Sequence, residues 1–104
     1  MRVELRPEAY AQILARHAWW VENRPSAPDL FAGELAVALA DLAALAKSVP
    51  VVVRREGVEI RRWLLPETRC HLYYAIDETK DVVEVLAAWG ARMGRLQPLA
   101  KGRR

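Results

Sequence analysis

The chain of 104 residues reads as an α+β domain. It has an N-terminal strand, then an antiparallel helical hairpin packed on a small, twisted, mainly antiparallel sheet. Three observations predict this. Apolar residues recur at helical spacing through most of residues 8–47. From Val51 onward, short runs rich in β-branched and aromatic residues alternate with turn residues. The links between those later runs are short, which makes neighbouring strands antiparallel.

The elements follow in order. In residues 1–6, Val3 and Leu5 alternate with Glu4 and Arg6 as a short first strand. Pro7 suits the first turn of a helix, where its missing N–H has no partner to lose. From Glu8 to about Asn23, Tyr10, Ile13, Leu14, His17 and Val21 line one face, with Trp20 at its margin. That pattern predicts His17 as a packed, hydrogen-bonded core residue. Trp19 falls instead on the side of Gln12, Arg16 and Asn23, so it is a candidate partner contact.

Residues 23–28 contain Pro25 and Pro28 and break the helix. Ser26 and Asp29 have capping-box spacing, which predicts a second helix from Ala27 or Pro28 to about Lys47. Phe31, Leu35, Ala38, Leu39, Leu42, Leu45 and Ala46 form its buried stripe. Its far side, with Gly33, Ala36, Val37, Ala40, Ala43 and Ala44, carries few charges. That side fits either a second contact surface or plain helix propensity. Residues 7–48 thus make the helical hairpin.

Pro50 ends the helices, and residues 51–90 read as antiparallel strands. Val51–Val53 is a short strand or lead-in, and Arg54 to Gly57 a turn. Ile60–Ile76 reads as two strands joined at a tight Pro66-Glu67 turn, and Val82–Trp89 is the last strand. Strict alternation in that last strand places Val83, Val85, Ala87 and Trp89 on one face. Gly90 and Gly94 bracket Arg92 and Met93 in a loop, and residues 91–104 form a basic tail. All of this makes a single domain.

Composition narrows the function. Residues 1–50 carry five basic and six acidic side chains, whereas residues 51–104 carry eleven basic and seven acidic. The second half therefore holds the excess positive charge, which attracts nucleic acid or an acidic protein partner. The single cysteine, Cys70, excludes an intrachain disulfide and a cysteine-based zinc site and fits a reducing cytoplasm. No metal and no cofactor is expected. The most apolar run, Leu35–Ala46, is too short to span a membrane and contains Asp41. The expected location is cytoplasmic, with no membrane partner. The glycines are too scattered for a phosphate loop, no nucleophile elbow is present, and the carboxylates form no catalytic pair.

What remains is Ile60–Ile76. Period-two alternation puts Ile60, Arg62 and Leu64 on one face and Arg61, Trp63 and Leu65 on the other. Past the turn, Arg69, His71, Tyr73 and Ala75 share one face. Arginines, a histidine and a tyrosine are thus concentrated in one hairpin. Arg61, Arg69, His71 and Tyr73 would serve RNA cleavage if it occurs, with His71 as acid or base and the arginines on phosphate.

The ordered set of segments resembles the ParE/RelE toxins of bacterial type II toxin–antitoxin modules, the ParE branch most. The residues that carry the likeness are the strand and helical hairpin, then Gly57–Leu65, Arg69–Tyr74 and Val83–Arg95, together most of the chain. The resemblance implies a small basic toxin of the plasmid-stabilisation type. A cognate antitoxin would neutralise it by laying an extended or helical segment along its surface. It also implies a target: DNA gyrase, met by protein contact, for ParE-type toxins, or mRNA cleaved in the ribosome for RelE-type toxins. RelE-type ribonucleases use lysines and arginines on the sheet, often with a tyrosine or histidine near the C-terminus. Here Val51–Arg55 contains no lysine, no tyrosine follows Tyr74 and no histidine follows His71. Gly90 stands where many ParE-like relatives carry histidine, and Met93 where another arginine is common. The expectation is therefore a non-enzymatic toxin that contacts gyrase, with a ribosome-dependent endoribonuclease or an inactive antitoxin binder as alternatives. The candidate contact residues are Trp19, Arg61, Arg62, Arg69, His71, Tyr73, Arg92 and Arg95.

Overall fold

Two hairpin turns set the frame of the sheet. Glu56 and Gly57 both have positive φ (52° and 80°), the backbone of a two-residue turn whose twist matches its flanking strands. Residues 66–69 form the second turn. There the Arg69 N–H donates to the Leu65 carbonyl at 2.9 Å, and Arg69 itself has φ 58°. In the computed structural model, which describes residues 1–90, these turns join three consecutive strands of a five-stranded sheet. The glycine loop and basic tail, with Arg92 and Arg95, lie outside the described residues.

The elements are β1 (Arg2–Leu5), α1 (Pro7–Asn23), α2 (Leu30–Leu45), a short 3-10 turn (Ala46–Ser48), β2 (Val51–Arg55), β3 (Val58–Leu65), β4 (Cys70–Asp77) and β5 (Val82–Gly90). The strand order is β1-β5-β4-β3-β2. β1 runs parallel to β5, and the other pairs are antiparallel. Two helices thus pack on a mostly antiparallel sheet, the α+β class expected, with the N-terminal strand at one edge.

The core lies between helices and sheet. Phe31 and Leu42 of α2 meet Leu65, Leu72, Tyr74, Val83 and Val85, all fully buried. Each such side chain contributes about 1.5–3 kcal/mol by leaving water. Tyr74 is also tied: its hydroxyl donates to the Ala46 carbonyl at 2.8 Å. A second, smaller cluster of Ile60, Tyr73 and Ala87 sits on the opposite face of the sheet, with Val53, Val58, Leu86 and Trp89 around it.

Leu45, expected in the buried stripe of α2, is instead 49% exposed, and four further expectations need correction. Ser26 does not cap α2, which begins at Leu30 after Asp29, and no side chain caps it; the two prolines keep Ser26 in the preceding turns. The link between β3 and β4 spans residues 66–69 rather than Pro66-Glu67 alone, so Arg69 belongs to the turn. The register of β4 and β5 shifts between Tyr73 and Tyr74, a bulge at Leu86 that reverses the alternation after Val85. Val83 and Val85 therefore face the helices, while Ala87 and Trp89 belong with the second cluster.

The fourth correction concerns α1, whose buried positions are Ala9 and Ile13, with Trp20 packed beside them. Tyr10, Leu14 and Val21 are 53%, 50% and 46% exposed. The helix is turned so that Gln12 and Arg16 reach the end of β5. The Ala88 N–H donates to Gln12 Oε1 at 2.8 Å, and Arg16 donates to the Thr68 carbonyl at 3.3 Å. His17 is half-buried, and its Nδ1 has no hydrogen-bond partner among the described residues.

Candidate functional site

The sheet face away from the helices gathers the hairpin's polar side chains. Strand register sets two rows across β3, β4 and β5: Arg62, Tyr73 and Ala87 in one, Leu64, His71 and Trp89 in the other. Side chains directly opposite in neighbouring strands lie within contact range. The His71 and Tyr73 rings meet edge to face, centroids 5.9 Å apart and planes at 65°. Tyr73 is only 4% exposed, whereas Arg62 and Arg69 are exposed and His71 and Trp89 half-exposed. The result is an apolar, aromatic floor flanked by two cations.

Arg69 reaches this face because the turn is held in place. Glu34, from α2, takes three hydrogen bonds from it: Glu67 N–H at 2.6 Å, Thr68 N–H at 3.0 Å and Thr68 Oγ1–H at 2.6 Å. A carboxylate accepting several donors is a strong anchor. Arg16 holds the same turn from α1 and lies over Gly90. A Cβ built on Gly90 would stand 3.1 Å from Arg16 Nη1, so glycine leaves the guanidinium its place against the strand.

The electrostatics define a neutral imidazole among cations. Burial first, then the charges of Arg62 and Arg69, hold the His71 pKa below its ordinary value of 6.5. Cys70, on the helix side, is pushed up to about 11, chiefly by burial and also by Glu34, against the lowering effects of Arg16 and a backbone hydrogen bond. A thiol so raised is no nucleophile near neutral pH.

The structure places the predicted site residues in three groups. Arg62, Arg69, His71 and Tyr73 come together on the open face. Arg61 does not join them, which corrects its grouping with His71 and Tyr73. It pairs with Tyr74 on the helix side, and its guanidinium donates to the carbonyls of Lys47 (3.2 Å) and Val49. It clamps the segment leaving α2 to the sheet. Trp19 is 48% exposed, with its ring edge-on to Trp20 at 5.6 Å. Trp89 was missed by sequence reasoning, because only the bulge turns it to the open face. Its indole N–H is buried with no partner among the described residues.

No group of acids, histidines and cysteine able to hold a metal ion occurs among the described residues. None of the described helices is long and apolar enough to cross a membrane. Comparison with models of known protein families gives no match, and comparison with curated proteins gives no significant one.

Proposed function

We propose that the chain is a ParE-like toxin of a type II toxin–antitoxin module. In this reading it is cytoplasmic, arrests growth by protein contact with DNA gyrase, and is neutralised by a cognate antitoxin. The observation that carries the reading is the make-up of the open face. With Arg61 turned to the helix side, the face is a half-exposed aromatic floor with Arg62 and Arg69 at its margin. Aromatic residues and arginine are the side chains most enriched in protein-binding hot spots. The exposed strip Tyr10, Leu14 and Val21 on α1 offers a second apolar surface, of the spacing an antitoxin helix would cover.

One observation favours a second reading, ribosome-dependent mRNA cleavage. A general base must be unprotonated at working pH, and His71 is kept so between two arginines that suit phosphate. The test is induced expression of the chain in a bacterial host. Wild type arrests growth, and Arg62→Ala with Arg69→Ala relieves the arrest while the protein stays folded. Growth unaffected by the wild type contradicts both readings. Arrest abolished by His71→Gln alone, with the arginines intact, favours RNA cleavage over protein contact.

A further inference from the structure

β3 is longer than the strand beside it. β2 pairs with Val58 to Arg61 only. Among the described residues, Arg62 to Leu65 therefore have no strand partner on that side, although β4 pairs them on the other. Half of the main-chain N–H and C=O groups in this run point outward, a template on which an extended chain adds as a strand. A groove of about 730 Å³ runs along the same edge. It touches Trp63, Leu64 and Leu65 in succession. Consecutive strand residues alternate between faces, so only the edge brings all three to one groove.

The facing wall is one stripe along α2 and its N-cap. Asp29, Gly33, Val37 and Asp41 all line the groove, and they recur at every fourth position, so they share a helix face. The Gly33 N–H donates to the Asp29 carbonyl at 2.9 Å, which carries the helical spacing back to Asp29. From Asp29 to Asp41 the wall runs acid, notch, apolar, acid over about 18 Å. Val37 is 62% exposed, and a Cβ on Gly33 would meet nothing within 4 Å. Glu67 adds an acid at the turn, and no lysine or arginine lines the groove among the described residues. Glu34 is occupied by the turn, but Asp29, Asp41 and Glu67 enter no ion pair among the described residues. In a chain of net charge +3, this recess is acidic.

That pattern specifies an occupant. Side chains on one face of a strand repeat every two residues, about 6.8 Å. A strand laid on the β3 edge would set four of them along the wall over roughly 20 Å. A base would stand opposite Asp29, two apolar groups against Gly33 and Val37, and a base opposite Asp41. We infer that the groove between α2 and β3 is a docking site for an extended segment of a partner protein. The segment adds to the β3 edge at Arg62–Leu65, in line with β2, and carries basic residues about six positions apart that flank alternate apolar ones. Asp29 and Asp41 belong to the helical layer, apart from Arg69 and His71 on the open face, so the site does not rest on the toxin reading.

The test titrates the full-length protein with the synthetic peptide Lys-Thr-Val-Thr-Val-Thr-Lys, blocked at both ends, and follows the protein's backbone amides by NMR. The expected result is shifts at Gly33, Val37 and Trp63 to Leu65, with a dissociation constant of about 10–100 µM. Hydrogen exchange should slow at the outward amides of Arg62 to Leu65, and binding should weaken as salt rises from roughly 0.1 to 1 M. Gly33→Leu fills the notch at an exposed helix position and should abolish binding while the protein stays folded. Asp29→Asn with Asp41→Asn should weaken it about tenfold or more. A peptide with glutamate in place of lysine should not bind. Nor should one N-methylated at its central residues, which keeps the charges but loses the strand-pairing N–H groups. No binding at about 1 mM peptide overturns the inference. Equal binding of the N-methylated or glutamate peptide overturns it too, because strand pairing or charge would then play no part. Binding that survives Gly33→Leu unchanged places the peptide outside the groove and has the same force. So does exchange at Trp63 to Leu65 that slows with protein concentration and no peptide, since the occupant would then be a second copy.

Discussion

At the scale of single residues, two arginines adjacent in sequence have opposite jobs. Arg61 ties the α2 exit to the sheet through two carbonyls. Arg61→Ala should therefore lower stability by about 1.5–3 kcal/mol, read as a fall in denaturant midpoint. Arg62→Ala should leave that midpoint within about 0.5 kcal/mol. Tyr74→Phe leaves the Ala46 carbonyl unpaired and should cost about 1–3 kcal/mol. His71 gives the pH dependence. Its folded pKa lies below 6.5, with burial and then Arg62 and Arg69 as causes, so below about pH 6.5 the unfolded chain binds more protons than the folded one. Stability should thus decline as pH falls from 6.5 through the folded pKa, and His71→Gln should flatten that part of the profile. A His71 contribution that grows on acidification contradicts the assignment. Cys70, buried and with its pKa at about 11, should resist maleimide labelling at pH 7.5 and react promptly in denaturant.

At the scale of elements, the sequence was legible where one physical signal dominates. Period-two alternation in β3 and β4 put Arg62 on one face and Arg61 on the other, and the structure keeps that division. What alternation within one strand could not supply was which faces of two strands coincide. Cross-strand register decides that, and it pairs Arg62, not Arg61, with Tyr73. The bulge in β5 left no mark in composition, because Leu86, Ala87 and Ala88 are all apolar, so Trp89 was assigned to the wrong face. For α1, the apolar stripe was real as a pattern but is not the packed face. Gln12 and Arg16 are drawn inward by unpaired backbone groups at Ala88 and Thr68, and hydropathy does not register such demands. The turn anchor was equally invisible, because Glu34 and Thr68 lie far apart in sequence. Glu34→Ala should unpair three donors and cost about 2 kcal/mol or more. It should also loosen Arg69, seen as faster amide exchange across residues 66–69 and not at Tyr74.

At the scale of the whole molecule, the sheet has one face that packs and one that stays open, which the proposed function makes the recognition face. The helices cover the first, and their buried side chains carry the fold. The second presents Arg62, Arg69, His71, Tyr73 and Trp89 on a floor too well packed to deform freely, which favours a preformed binding surface over one shaped by its partner. Resemblance to the ParE/RelE toxins, the cationic margin of this face and the exposed strip of α1 all support the proposed toxin. The most direct measurement is supercoiling of relaxed plasmid by DNA gyrase with the purified chain titrated in. The account predicts loss of supercoiling with the wild type, and a shift to higher concentration for Arg62→Ala with Arg69→Ala. Full supercoiling at every concentration, alongside cleavage of mRNA on translating ribosomes, would contradict it.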